Sequence, residues 1–369
     1  MKRTDFSVDW LFAACAPDTE LLPWNAQFTP VDLPHDWQIR HADDLYRDGT
    51  LFYRKYFFVT DVPGTRRMLW FGGAYMDTTV FVNGTEVGQW KYGYTSFWFD
   101  ITDALHEGQN EVLVRCNLRH PNSRWYSGAG LYRNVELWEA PDLHLMPDGL
   151  YVAAKEGDNG AWTVAVTAEA GSVTAASTGR TLTLHLTDDN GSLLGTAAIP
   201  ADAWAALPSP DGWRTGKETA IYKASHTFTL QDPALWDLDA PSFYHITAEL
   251  TGADGVTDTL TTRFGCRTIE ATPDCGLLVN HKRVLIKGVC IHHDFGCLGS
   301  AFEYSAAKRQ LEILKSMGVN SIRTGHTPPA PQFMDLADEM GILMDVESFD
   351  CWRSGKNPYD YGRFFDEWQ

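Results

Sequence analysis

Positive charge is scarce in this chain. Lys and Arg number 30 against 48 Asp and Glu, a formal net charge of −18. Such a balance argues against nucleic acid or an anionic membrane as partner. Cysteine is sparse as well: the seven residues, Cys15, Cys116, Cys266, Cys275, Cys290, Cys297 and Cys351, form no CxxC pair. An odd count without that spacing fits neither a disulfide framework nor a zinc site. No run of eighteen apolar residues exists to span a bilayer, and acidic Asp5 and Asp9 interrupt the N-terminus before any leader-like apolar stretch. A reducing cytoplasm is therefore the expected compartment. There is no GxSxG elbow for a serine nucleophile, and Gly72-Gly73 lacks the Lys-Ser/Thr of a phosphate loop.

Aromatic residues are plentiful: 14 Trp, 14 Tyr and 19 Phe make up 13% of the chain. Most are expected in β-sandwich cores, and the rest suit sugar-binding surfaces, where pyranose CH groups pack on rings. With 369 residues, 44% hydrophobic and 21% charged, two or three ordinary globular domains are expected.

Three textures divide the chain. Residues 1–140 carry short aromatic or β-branched runs at 52–58, 67–71, 78–82, 96–100 and 111–116, separated by Pro63-Gly64, Asn83-Gly84 and Glu107-Gly108. Such spacing reads as an antiparallel sandwich, with a further strand over 134–138 closing the sheet. Residues 141–268 hold strands over 162–168, 181–186, 219–230, 244–251 and 257–264, the count and length of an immunoglobulin-like sandwich. Asn83-Gly84-Thr85 and Asn190-Gly191-Ser192 match a glycosylation pattern, but Asn-Gly is first a hairpin signal and is read so here.

From 269 onward the order becomes strand, helix, strand, helix, strand. The strands are expected over 284–292, 321–326 and 343–348, the helices over 304–317 and 331–340. That alternation implies parallel strands joined by right-handed crossovers. It is the opening of a (β/α)8 barrel, a fold of roughly 250 residues, so 269–369 make only its first part. The fold class is mainly β and multidomain.

Each barrel strand ends in polar residues: His292-His293-Asp294, then Arg323-Thr324-Gly325-His326, then Glu347-Ser348-Phe349-Asp350-Cys351-Trp352. C-terminal strand ends of such barrels share one rim, where catalytic and binding groups gather. His292, Asp294, Arg323, His326, Glu347 and Asp350 are placed to hydrogen-bond sugar hydroxyls, with Trp352 as an apolar wall. Arg323 is also expected to pair with Glu347 in a buried ion pair. Of His292 and His293, one should point inward and the other pack against a loop. A metal held by His292, His293 and His326 has no ligand spacing behind it.

Several segments resemble glycoside hydrolase family 2, the β-galactosidase and β-glucuronidase group. They are Leu33-Pro34-His35-Asp36-Trp37, Asn122 to Arg133, Arg263-Phe264-Gly265-Cys266-Arg267, Lys287-Gly288-Val289 and 320–329. The resemblance implies a jelly-roll-like sugar-binding sandwich, an immunoglobulin-like sandwich and a catalytic barrel. It implies a retaining exo-β-glycosidase with two glutamates roughly 5 Å apart, β-galactosidase-like, with β-glucuronidase as the alternative. Asn122 and Arg124 fall in the sandwich loop that reaches toward the barrel in this family. The acid/base glutamate usually follows an Asn at the fourth strand. The sole Asn-Glu here, Asn110-Glu111, lies in the first sandwich, so no catalytic residue is assigned. The acid/base and the nucleophile are both expected beyond Gln369, and residues 1–369 alone are expected to be inactive. No cofactor is expected: metal-dependent relatives carry a Glu-x-His pair on the third strand, and none stands in register here. The expected partner is a glycoside or oligosaccharide, and the full-length form is expected to be a homo-oligomer. A non-catalytic carbohydrate-binding or subunit-contact module is the rival reading.

Overall fold

The computed structural model describes residues 1–41, 43–60, 64–174, 179–207, 217–252, 255–348, 350–351 and 353–364. Phe349 and Trp352 fall outside the described residues, so the apolar wall assigned to Trp352 does too. Residues 365–369 also fall outside them. The expectation of catalytic glutamates beyond Gln369 therefore lies outside the described residues as well.

In the first sandwich a six-stranded antiparallel sheet runs in the order Thr29–Val31, Trp10–Cys15, Gly49–Val59, Gly108–Leu118, Thr78–Val82, Thr85–Trp90. Along Gly108–Leu118 every second residue from Asn110 is buried, the period that lays one face of a strand on a core. The facing sheet orders Lys2–Asp5, Val135–Pro141, Thr65–Phe71 and Phe97–Asp100. The strand expected to close this sheet is thus interior. The edge is Lys2–Asp5, whose exposed KRTD sequence has no apolar alternation to reveal it. The turn at Asn83 and Gly84, with φ of 49° and 79°, joins Thr78–Val82 to Thr85–Trp90 as a tight hairpin.

The second sandwich packs His144–Glu156, Ala161–Ser172, Ala220–Gln231 and Ala205–Leu207 against Leu193–Pro200, Thr181–Asp188, Tyr244–Gly252 and Gly255–Phe264. Leu182, Leu184 and Leu186 face Val164, Val166 and Phe228 across the core. The Asn190-Gly191 turn links two neighbouring strands, Gly191 having a φ of 82°.

The barrel portion has three parallel strands, β1 (Gly288–Ile291), β2 (Ser321–Thr324) and β3 (Leu343–Val346), joined by helices α1 (Tyr304–Ser316) and α2 (Pro331–Glu339). The first strand is shorter than the sequence suggests. Residues 284–287 form no strand, Val284 N–H donating to the Leu277 carbonyl at 2.9 Å, and parallel pairing begins only where Gly288 meets Ser321. Val289, Ile291, Ile322 and Met344 pack with Leu311, Phe333 and Leu336 of the helices. Period-two alternation then turns Cys290, His292, Arg323 and Glu347 to the opposite, inner face.

Both sandwiches brace this sheet. Tyr361 and Phe364 join the core of the first sandwich. In the second, the Trp236 indole donates to the Asp338 carbonyl at 2.9 Å, and Arg263 pairs with Glu339 at 2.8 Å.

Candidate functional site

The rim is organised around Glu347. Its Oε1 accepts from Arg323 Nε at 2.6 Å and its Oε2 from His326 Nδ1, also at 2.6 Å. Arg323 and Glu347 are therefore paired as expected, but not buried: their side chains are 41% and 26% exposed. The pair lines the inner face, where a ligand can reach it. Burial pushes the Glu347 carboxyl up, but the hydrogen bonds from His326 and Arg323 outweigh it and leave the group below the usual carboxylate value. Glu347 is thus a fixed anion that sets the orientation of two neighbours.

Both rim histidines use Nδ1 inward. His292 Nδ1–H donates to the Gly325 carbonyl, and His326 Nδ1–H to Glu347. With Nδ1 engaged in this way, Nε2 is the ring atom left to meet a ligand. The two rings lie 6.1 Å apart, centroid to centroid.

His293 does something else. Its Nε2–H donates to the Ser127 carbonyl at 2.9 Å, and its ring meets Tyr94 edge-on at 5.1 Å. Burial pushes its pKa down to about 4, so it is neutral at physiological pH. It locks barrel to sandwich, so of the two histidines His293 is the one packed on a loop.

The loop before Arg133 meets the rim from the sandwich side. Arg124 Nη2 lies 2.6 Å from Asp350 Oδ1, so the expected reach toward the barrel is present for this residue. Asn122 differs from expectation. It is 1% exposed, and its amide is taken by Tyr75, Ser127 and the Arg119 carbonyl, so it braces the loop from within. Asp294 lies beyond β1, half-buried, with no hydrogen bond or ion pair among the described residues.

The sequence reading passed over Trp125. This residue is 6% exposed, lies parallel to His292 at 5.7 Å, and meets His326 edge-on at 5.3 Å. Its signal was an aromatic pair, Trp125-Tyr126, set among small residues of a long loop. The close approach depends on glycine: Gly128 has a φ of 66°, and a Cβ there would collide with the Ser300 side chain. Asp36 fixes the same junction. Its buried carboxylate accepts from Gln38 N, Ala129 N, Tyr126 OH, Ser300 N and Ser300 Oγ. Arg133 adds a bond to the Pro328 carbonyl, two residues past His326, at 3.2 Å.

Behind His292 and His293 the enclosed space is only ≈ 20 Å³, bounded by Tyr132, Phe302 and Phe333. That admits a water and not a sugar. Among the described residues no group of three His, Cys, Asp or Glu side chains is placed to hold a metal ion. None of their helices is long and apolar enough to cross a membrane.

Three regions match models of one family: residues 23–141 its sugar binding domain, 148–267 the domain described as glycosyl hydrolases family 2, and 271–358 its TIM barrel domain. The β-galactosidase BoGH2A of Bacteroides ovatus is 35% identical across 100% of this chain and 43% of its own length. A putative β-glucuronidase of Formosa agariphila is 31% identical across 99% of this chain and 35% of its own. A solved family 2 member from Bacteroides cellulosilyticus superposes with a TM-score of 0.88 at 28% identity, covering 100% of this chain and 48% of that one. The chain thus spans less than half the length of these relatives. Two sandwiches in this order, followed by the first strands of the barrel, settle the assignment: the chain belongs to glycoside hydrolase family 2.

Proposed function

We propose that residues 1–369 form the sugar-positioning part of a retaining exo-β-glycosidase, β-galactosidase-like, acting on terminal β-glycosides. The observation that carries this reading is the Glu347 node. One carboxylate fixes Arg323 and His326 on the open inner face of the sheet, beside a His292 held from below and a Trp125 supplied by another domain. Such a surface offers two imidazoles to hydroxyls on one side of a pyranose. The likeness to the Bacteroides ovatus β-galactosidase supports the galactoside reading.

In this reading Glu347 orients and does not cut. Held by a histidine and an arginine, it is a poor proton donor at neutral pH, the opposite of an acid/base glutamate with a raised pKa. The two glutamates of the double displacement are accordingly not assigned within residues 1–369, and the proposal places them beyond Gln369. Purified 1–369 is expected to leave aryl β-galactosides and aryl β-glucuronides uncleaved. Turnover that survives purification and disappears in Glu347→Gln would overturn this division of roles.

A further inference from the structure

We infer that the enclosed space behind His292 and His293 is a site for one small anion, a halide such as chloride, held by the Arg133 guanidinium.

A buried cation without a counterion is the starting point. Arg133 is 3% exposed. Its Nη1 donates to the Gly72 and Tyr94 carbonyls at 3.1 and 2.8 Å, and its Nη2 to that of Pro328 at 3.2 Å. A guanidinium has five N–H groups, so Nε–H and one Nη2–H remain outside these bonds. Among the described residues no carboxylate pairs with Arg133. Burial pulls its pKa down, and the groups opposing that fall are tyrosines, Tyr132, Tyr92 and Tyr94. Carbonyl dipoles solvate the charge and do not neutralise it. An interior ion of this kind gains most from a partner of opposite charge.

The space beside it fits such a partner. Its ≈ 20 Å³ hold one particle the size of a water. Arg133, His293 and Thr327 line it together with apolar Ile291, Phe302 and Phe333. Phosphate, sulfate and carboxylates are too large, whereas a single-atom anion fits. A water would meet the open N–H groups but leave the charge in place.

His293 supplies a second donor once it is protonated. It shares the Tyr132 ring with Arg133, the imidazole 5.7 Å and the guanidinium 5.0 Å from that centroid. Its Nε2–H goes to the Ser127 carbonyl, and its Nδ1 is buried with no partner. In the neutral ring Nδ1 is a lone pair; a proton there turns it into a donor. The charged groups facing this ring are Arg133 from the sandwich and His292 and Asp294 from its own strand end, with Tyr94 and Tyr132 as ring neighbours. Arg133 and His292 oppose the proton, and Asp294 favours it. A bound halide cancels the opposition from Arg133, so anion and proton strengthen each other.

The test titrates intact, histidine-labelled 1–369 in potassium gluconate with potassium chloride at constant ionic strength. The His293 pKa, followed by NMR of its ring, is expected to rise saturably from about 4 by about one unit, a tenfold firmer hold on the proton. Sulfate should leave it unmoved. The thermal midpoint in mild acid should rise with chloride in parallel. Arg133→Gln should abolish both responses. Ala330→Val narrows the space and leaves Arg133 in place, so it should abolish them even if the first variant fails to fold. Equal His293 titrations in chloride, sulfate and gluconate would overturn the inference and leave a water as the occupant. A chloride response that survives in Ala330→Val would also overturn it, by placing the ion elsewhere.

Discussion

The indole of Trp125, on a loop of the first sandwich, lies parallel to the imidazole of His292, at the end of a barrel strand, 5.7 Å away with 5° between the planes. Two domains therefore build one surface. Replacing Trp125 with Ala should remove the packing that aligns both rim histidines and destabilise the chain by about 3 kcal/mol, the usual cost of deleting a large buried aromatic. The NMR readout is specific. His292 ring protons, shielded by the indole face in the native chain, should move downfield in the variant, while exposed His281 stays in place. An unmoved His292 would contradict the stacking.

Asp36 is the second joint. Five donors from three segments converge on its carboxylate, among them both the amide and the hydroxyl of Ser300 in the barrel portion. Asp36→Ala leaves buried donors without acceptors and should cost about 3 kcal/mol. Ser300→Ala removes one hydroxyl and should cost about 1 kcal/mol. Urea denaturation compares the two. Equal effects would show that the carboxylate is not the organising group.

The His293 contact gives an acid-side dependence with a definite sign. Burial lowers its pKa from 6.5 to about 4. An unfolded chain would take up a proton near 6.5 while the folded one resists, so this contribution is complete above pH 6.5 and declines as pH falls from 6.5 to about 4. His293→Gln keeps a donor for Ser127 and removes the titration. Its denaturation midpoint should be flatter than wild type across that window. Parallel profiles would place the acid sensitivity elsewhere.

Glu347 titrates lower. Burial raises its carboxyl, and the His326 and Arg323 bonds lower it further than burial raises it, for a net fall below 4.5. Its stabilising contribution is present above pH 4.5 and disappears as pH drops through the lowered value. Glu347→Gln should therefore be less stable than wild type near neutral pH and converge on it as pH falls through the lowered value. A gap that persists in acid would mean the loss is steric.

Much of this was legible in the sequence because local pattern and global fold agree. The helices expected over 304–317 and 331–340 lie on the barrel core, and Arg323, His326 and Glu347 from two strand ends meet on one rim. What stayed hidden depends on partners far along the chain. Lys2–Asp5 is a strand only because Val135–Pro141 offers it an edge. Val284 is drawn away from the barrel by the hairpin before it, where its N–H donates to the Leu277 carbonyl. Asn122 is polar and sits in a functional loop, yet Tyr75 and Ser127 turn it inward. Trp125 is one of many aromatics in the sequence, and only its stacking on a histidine from another domain distinguishes it.

The central claim is that the first sandwich and the first three barrel strands present a single surface for a pyranose. Histidine-labelled 1–369 titrated with methyl β-D-galactoside tests it directly by two-dimensional NMR. The account predicts that His292 and His326 shift together along one binding curve, that His185 and His281 stay still, and that Trp125→Ala weakens the curve. Sugar-dependent shifts confined to residues away from this rim, or none at saturating sugar, would contradict it.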